Sequence, residues 1–429
     1  VGIVKDGVTV HEGYYGKANL EHGVPVGDAS IFRVYSLTKT FVATAIFQLI
    51  EERKLTLEDT VGKYVDGLPQ AWQKLTVQQL LVHASGLPDM APIMEFEDLT
   101  ENEAKSRDFS AALGFIAGEK YEYNQTNFWL LQQIIEKVSR MPIENFILEK
   151  QFSGINDLPF FSSDSRTIFK NRVTPYFPFR TGELIIDNSY LQGRYMFAAN
   201  GWNLSLRNYL EWNSRFRDQS LLKNSLETPM FKPFNFKSSE KQFAHGWNIH
   251  DLNGHISYGF SGSLVTAYRI FPKDDLSIVF LSNGLSRYYD IENVVNHLAS
   301  LTDASIVDFD NFVFEKLVAT IDLGNFKNFV SNYSELKAIK KYQEVDFEGI
   351  LNAIGYLQLR KGASESALEV FRLNSKEFPD SWNVWDSIAE GYETIGDNEN
   401  AIKYYKKSIV INPNNKHGKE RLSFLEDKL

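Results

Sequence analysis

The chain reads as a mixed α+β (α/β) layer domain, a sheet flanked by helices, followed by an all-α repeat module. Three observations predict this. Strand-like segments stand at both ends of the first 300 or so residues, with helical spacing between them, so the first and last strands can pair in one sheet. A repeat then takes over toward the C-terminus, with a step of 34 residues (388 − 354 = 34). Finally, 429 residues are too many for one ordinary core.

In chain order, Val1 to Val10 and Gly13 to Ala18 read as a hairpin, with Asp6-Gly7 supplying the tight turn. Ile31 to Tyr35 leads into a helix whose apolar run is Phe41 to Ile50. Leu57-Glu58-Asp59 and Val77-Gln78-Gln79-Leu80-Leu81 open or form further helices. Phe128 to Val138 is apolar at helical spacing, and Arg140-Met141-Pro142 ends it. Beyond Lys241 the pattern turns to strands: Phe243 to Ile249, Ile256 to Tyr258, Leu264 to Phe271 and Leu276 to Ser282. A helix over Ile291 to Leu301 closes this part.

The C-terminal part differs in kind. Leu351 to Pro379 aligns with Trp385 to Pro413, matching Ile354 with Ile388, Ala367 with Ala401, Phe371 with Tyr405 and Pro379 with Pro413. A helix-turn-helix period of this length, with small, aromatic and terminal proline positions, is the tetratricopeptide signature. Two clear repeats are fewer than the three usually needed to stack an array. Residues 311 to 344 supply an atypical cap and Lys416 to Leu429 a capping helix. The expected boundaries are 1–305 for the sheet-and-helix domain, 306–344 for a helical connector and 345–429 for the repeats. The repeats are expected to dock a peptide or protein partner; the plainer reading is a helical extension packed on the first domain.

Composition limits the function classes. Hydrophobic residues at 43% and charged ones at 23% suit a folded soluble protein. A formal charge of −10 argues against nucleic acid, whose phosphates need a basic surface. No apolar run reaches the roughly 18 residues of a membrane helix. Zero cysteines exclude disulfides, thiolate metal sites and cysteine catalysis. The chain starts at Val1, which raises the expectation of a removed signal segment and a periplasmic or secreted location. Aromatics are dense from Tyr176 to Trp247, as core packing or as an aromatic-lined cleft.

Ser36-Leu37-Thr38-Lys39 carries the chemistry. A serine and a lysine three apart on a helix project from one face, one turn apart. The amine can then accept the hydroxyl proton and make serine a nucleophile. The same spacing recurs at Ser220/Lys223, Ser238/Lys241 and Ser334/Lys337, so the surroundings must select the first. Those surroundings are Phe32-Arg33-Val34-Tyr35-Ser36-Leu37-Thr38-Lys39-Thr40, Leu80-Leu81-Val82-His83-Ala84-Ser85-Gly86-Leu87-Pro88, Tyr121-Glu122-Tyr123-Asn124-Gln125-Thr126-Asn127-Phe128 and Gly201-Trp202-Asn203-Leu204-Ser205. Gly246-Trp247 and Gly254-His255-Ile256-Ser257-Tyr258-Gly259-Phe260-Ser261-Gly262-Ser263 complete them.

In order and spacing this set resembles the class C β-lactamase-related serine hydrolases, which include β-lactamases, esterases, D-amino-acid peptidases and penicillin-binding-protein relatives. The resemblance implies the penicillin-recognising fold, an antiparallel sheet flanked by helices with a helical subdomain closing the cleft. It implies Ser36 as the acylated nucleophile, Lys39 as its proton-shuttling partner and Tyr123 as the phenol that exchanges protons with serine and leaving group. The backbone amides of Ser36 and Ser263 would form the oxyanion hole. An amine works as base near neutral pH only if its pKa drops well below about 10, through burial or a neighbouring cation. No metal or organic cofactor is expected.

Two positions depart from the family pattern. Gln125 replaces the asparagine after Tyr123-Asn124, keeping an amide but moving it one methylene outward, for a displaced substrate contact. The third motif reads Phe260-Ser261-Gly262, without the lysine or histidine that helps hold a substrate carboxylate. An alternative alignment puts Ser257-Tyr258-Gly259 there, and it too lacks the cation. The expected function is an esterase or amidase, or a peptidase, acting through an acyl-enzyme on a neutral or hydrophobic substrate. A β-lactamase or D,D-peptidase is one alternative; a catalytically weak binding protein that recruits a partner through its repeats is another. His245, His250 and His255 recur every five residues, which on strands puts neighbours on opposite faces and makes a metal cluster improbable. His83 is expected to be structural, and Ser85 and Ser205 to be turn and cap hydroxyls.

Overall fold

The computed structural model describes residues 1–427 apart from 92–99, 179–183, 189–193, 224–228, 285–289 and 323. Parts of the aromatic stretch from Tyr176 to Trp247 therefore lie outside the described residues. The chain divides into two compact units, Val1–Ile306 and Val307–Leu429.

The first unit opens with β1 (Gly2–Lys5), β2 (Val8–Glu12), β3 (Lys17–Asn19), β4 (Val24–Pro25) and β5 (Ile31–Arg33). Helices α1 (Thr38–Glu51), α2 (Gln70–Gln73), α3 (Val77–Leu81), α4 (Glu101–Asp108), α5 (Thr126–Ser139) and α6 (Ile143–Gln151) follow. Then come β6 (Phe160–Phe161), β7 (Tyr176–Pro178), β8 (Leu184–Ile186), α7 (Phe197–Asn200), β9 (Trp202–Ser205) and α8 (Leu206–Arg217). The last run is β10 (Phe243–Ala244), β11 (Trp247–Leu252), β12 (His255–Gly262), β13 (Thr266–Phe271), β14 (Leu276–Leu281) and α9 (Ile291–Thr302).

Seven strands form the main sheet in the order β10-β11-β12-β13-β14-β1-β2, every pair antiparallel. The first strand closes onto the last, with Ile3 opposite Ile278. Asp6 (φ 50°) and Gly7 (φ 76°) make the turn between β1 and β2, as a two-residue primed turn requires. Alternation along β13 explains its complete burial. Ala267 and Phe271 meet Ile291, Val295 and Ala299 of α9, whereas Tyr268 and Ile270 face the larger core on the other side. A strand covered on both faces is mostly apolar, and the one buried charge of β13, Arg269, pairs with Glu292 of α9.

That larger core is built on α1, in which every residue from Thr38 to Leu49 is buried. Its buried hydroxyls turn back on the backbone, Thr40 to the Leu37 carbonyl and Thr44 to the Thr40 carbonyl, both at 2.8 Å, so the helix can sit wholly in the interior. The Phe41 ring lies 4.6 Å from Trp212, 5.3 Å from Tyr209, 5.9 Å from Trp202 and 6.0 Å from Phe152, at aromatic packing distances.

Local structure departs from the sequence pattern in three places. Leu57-Glu58-Asp59 forms a turn, because Asp59 Oδ2 accepts the Thr56 amide at 2.9 Å. Gly246 (φ 85°) breaks the expected 243–249 strand into β10 and β11; a Cβ there would come 2.7 Å from Ala43 Cβ of α1. Finally, β12 runs on to Gly262, and the turn to β13 consists of Ser263 (φ 47°) and Leu264 (φ 59°), so Leu264 is not in the strand.

In the second unit the helices are α10 (Phe309–Ile321), α11 (Phe326–Lys337), α12 (Phe347–Arg360), α13 (Ser364–Glu377), α14 (Trp382–Thr394), α15 (Asn398–Ile411) and α16 (Lys416–Glu426). Val313 and Leu317 of α10 and Phe329 and Tyr333 of α11 share one core with Leu351 and Ile354 of α12. The 306–344 stretch thus contributes apolar faces to the same core as the first helix-turn-helix. Between α12 and α13, Gly355 lets the Phe371 ring close in; a Cβ would come 2.3 Å from Cε1. Ala401 and Tyr405, the counterparts of Ala367 and Phe371, are likewise buried in the adjoining core.

Removing the ring at the centre of the first core tests its weight. Phe41→Ala is expected to cost about 3–5 kcal/mol, measured as the shift in the urea midpoint of the full chain. A loss below about 1 kcal/mol would mean that the surrounding rings close the cavity.

Candidate active site

Ser36 lies in a single 3₁₀ turn, Tyr35–Leu37, immediately before α1. Tyr35 is left-handed (φ 47°), a conformation that costs a non-glycine residue of order 1–3 kcal/mol and must be held by its surroundings. Its hydroxyl donates to Asp187 Oδ2 at 2.9 Å, the Arg33 guanidinium stacks 4.6 Å above its ring, and its carbonyl accepts from Thr38 Oγ1 at 2.5 Å. Arg33 and Asp187 are themselves buried. The turn that presents Ser36 is therefore fastened on both sides.

Lys39 follows in the first turn of α1 and is fully buried. Its Nζ lies 3.4 Å from Ser36 Oγ, 2.7 Å from Gln125 Oε1 and 2.8 Å from the Ala199 carbonyl. Gln125 precedes α5 and Ala199 belongs to α7, so three elements converge on one amine. Burial is the largest influence on Lys39 and pulls its pKa down, against upward contributions from Tyr123 and Asp89. Nζ donates to all three oxygens, and because carbonyl oxygens can only accept, Gln125 and Ala199 hold the amine in place beside Ser36 Oγ. Tyr123 OH donates to the same oxygen at 2.7 Å.

The loop before Tyr123 is set by His83. This buried residue is left-handed (φ 54°), and its Nδ1 accepts the Asn124 amide at 3.2 Å. Its ring lies 4.7 Å from Tyr123. Burial holds His83 well below the ordinary histidine pKa, so it is a neutral support. Asn124 Nδ2 donates to the Leu87 carbonyl at 2.6 Å, fixing the loop that His83 begins. Ser85 Oγ accepts the Leu87 amide at 3.2 Å and Ser205 Oγ the Asn208 amide at 3.1 Å, one a turn and the other a helix cap.

The far wall is the end of β12. A Cβ on Gly262 would lie 2.0 Å from the Val34 carbonyl oxygen, so only glycine lets the strand approach the turn that carries Ser36 this closely. Thr266 Oγ1 donates to the same Val34 oxygen at 3.1 Å. Ser263 is therefore the first residue beyond the contact with that turn. Gly259 instead faces Tyr268 and Arg269, so the segment 260–262, not 257–259, is the one brought to Ser36. Phe260 is only 6% exposed; its ring backs Tyr123 at 6.1 Å and Phe243 at 6.3 Å, and it offers little surface to a ligand. Gln125 is turned toward Lys39, and its side-chain nitrogen has no partner among the described residues.

Four contributors escape motif reading: Ala199 through its carbonyl, Asp187 through Tyr35, Asp89 through the Gln125 amide and Thr266 through Val34. Three act from a distant part of the chain or through backbone. Only Asp89, one residue past Leu87-Pro88, adjoins a recognisable motif. His245, His250 and His255 take separate partners: Gln78 at 3.1 Å, Glu292 at 3.9 Å and Asp274 at 2.7 Å.

The burial of Lys39 has a signature in stability. Unfolded lysine titrates near about 10.4, and the folded value is lower. Between the two, the unfolded chain binds more protons, so stability rises with pH; below the folded pKa the full cost of the buried ammonium is present. Lys39→Met removes that cost. Its stability relative to the parent chain is expected to increase as pH falls through this window and then level off, as urea titrations at stepped pH would read. A difference constant with pH would contradict the assignment.

Residues 1–300 match the Beta-lactamase family model. Penicillin-binding protein 4* of Bacillus subtilis (strain 168) is 32% identical over 158 residues, 33% of this chain and 33% of that protein, so the match spans about a third of the relative's length. The octameric penicillin-binding protein homologue from Pyrococcus abyssi is similar in structure, with a TM-score of 0.62 at 23% identity over 74% of this chain and 76% of that one. The D-amino acid amidase from Ochrobactrum anthropi SV3, solved with D-phenylalanine, gives a TM-score of 0.58 at 18% identity over 71% and 93%. With the family model covering well over half its length, this chain belongs to the Beta-lactamase family, a family of serine hydrolases.

Proposed function

We propose that the unit Val1–Ile306 is an esterase or amidase that works through an acyl-enzyme on Ser36, and that its substrate does not depend on a cation to hold a carboxylate. The observation that carries this is the trio at one oxygen, with Lys39 Nζ at 3.4 Å and Tyr123 OH at 2.7 Å from Ser36 Oγ. Ser36 Oγ attacks the carbonyl carbon while its proton passes to Lys39 Nζ. The oxyanion that develops is met by the amides of Ser36 and Ser263. Collapse breaks the bond to the leaving oxygen or nitrogen, which takes a proton relayed through Tyr123. Water, deprotonated by the same groups, then cleaves the ester, releases the acid and returns the proton to Ser36. Gln125 holds Lys39 through its oxygen, leaving its amide nitrogen for the substrate.

Phe260 supports the neutral-substrate reading, since β12 brings neither lysine nor histidine to the site. An amidase among the structural neighbours agrees with amide cleavage. For the second unit, the 34-residue step between Ile354 and Ile388 supports a tetratricopeptide module that docks a protein partner.

Intact-mass measurement after exposure to a fluorophosphonate probe, and separately to a penicillin, tests the reading, with Ser36→Ala as control. The expected result is an adduct with the fluorophosphonate alone, absent in the variant, together with hydrolysis of short-chain esters. Lys39→Met is expected to lower the rate of adduct formation by about 10²–10⁴-fold, the usual worth of a positioned base. A Ser36-dependent penicillin adduct would favour the β-lactamase or D,D-peptidase alternative, and no adduct with either would leave a binding protein.

A further inference from the structure

We propose that Asp89 binds a positively charged group on the substrate, so that the cleft selects acyl compounds bearing an amine; this rests on the hydrolase reading above. Asp89 Oδ1 accepts two backbone amides, Gln125 at 3.1 Å and Ala91 at 3.0 Å. The carboxyl group is thereby fixed at the residue whose side chain holds Lys39. Asp89 keeps solvent-accessible surface although its carboxyl group sits among protein atoms, and among the described residues it enters no ion pair. The nearby Arg107 grips Asp108 through two bonds of 2.7 and 2.8 Å and reaches this loop through the Asp89 and Ala91 carbonyls, not the Asp89 carboxylate. Partial burial is the largest influence on the Asp89 carboxyl and raises its pKa, against Lys39 and the two amides.

Among the described residues, Lys39 and the end of β12 do not offset this anion. Lys39 is held toward the neutral amine, and the end of β12 contributes Phe260, Ser261, Gly262 and Ser263. A substrate carboxylate entering here would face an unmatched negative charge, whereas an ammonium would complete an ion pair with a carboxylate already oriented by two hydrogen bonds. Orientation in advance is what makes such a charge-assisted bond selective.

Calorimetric binding to the full-length Ser36→Ala protein separates this assignment from turnover. Both enantiomers of phenylalaninamide would be compared with their N-acetylated, uncharged counterparts. The amine is expected to bind at least about tenfold more tightly, a difference of about 1.4 kcal/mol. Adding Asp89→Asn, which keeps an oxygen for the Gln125 and Ala91 amides but removes the charge, is expected to abolish the preference. Raising salt on the Ser36→Ala protein alone should shrink it by screening, a readout that needs no second variant. Equal affinity for charged and uncharged ligands, no binding of either, or a preference unchanged by Asp89→Asn would overturn the assignment. If the preference holds while Ser36 takes up no acyl probe, the hydrolase reading fails and the amine site stands.

Discussion

The arrangement of the site depends on one buried amine. An ammonium removed from water without a carboxylate beside it is costly, and Lys39 has only neutral oxygens in contact: Gln125, Ala199 and Ser36. Burial shifts the balance toward the neutral form by lowering the Lys39 pKa. Two carbonyls fix the amine in place beside a serine hydroxyl. A group that would be a liability in an ordinary core is thereby suited to the role of base proposed for it. This works only if α1, α5 and α7 are locked together, which is the role of the aromatic core around Phe41 and of the complete burial of α1.

The walls of the cleft serve the same end. His83, Tyr123, Phe260 and Phe243 form a continuous aromatic layer, with ring separations of 4.7 Å, 6.1 Å and 6.3 Å along it. Such a layer keeps water from the lysine side of Tyr123, which sustains the desolvation that lowers the Lys39 pKa. A lysine or histidine at position 260 would have to be desolvated as well, among rings that offer its charge few acceptors. Phe260 is thus a packing residue first, and its effect on substrate choice follows from what it does not carry.

Much of this was legible in the sequence because it is local. The Asp6-Gly7 turn, the helix over 126–139 and the pairing of terminal strands follow from turn chemistry, period and order. The Ser36–Lys39 spacing and the Tyr123 motif name residues that do converge. What pattern could not supply is local backbone conformation and long-range approach. The left-handed pair Ser263 and Leu264 moves a leucine out of its apparent strand, and nothing in an apolar residue's identity announces that. Gln125 read as a displaced substrate contact because its reach to Lys39 depends on where α5 begins. Ala199 was invisible, since a carbonyl leaves no mark on residue type. Residues 306–344 read both as a connector and, over 311–344, as an atypical cap; which apolar faces of α10 and α11 meet α12 is visible only in the fold.

Gln125 also separates a carboxylate from a lysine whose pKa burial lowers. Direct contact between Asp89 and Lys39 would stabilise the ammonium by the 1–3 units typical of such a pair, cancelling the effect of burial. The glutamine stands between them: its backbone amide is given to Asp89 Oδ1 and its side-chain oxygen to Lys39 Nζ. Each charged or chargeable group is satisfied by a neutral dipole of the same residue, and the Coulomb attraction falls with the added distance. Asparagine is one methylene shorter and would have to draw the lysine, the start of α5 and Asp89 closer together to make the same bridge. The extra carbon at position 125 therefore lets one residue reach both groups without bringing them into contact.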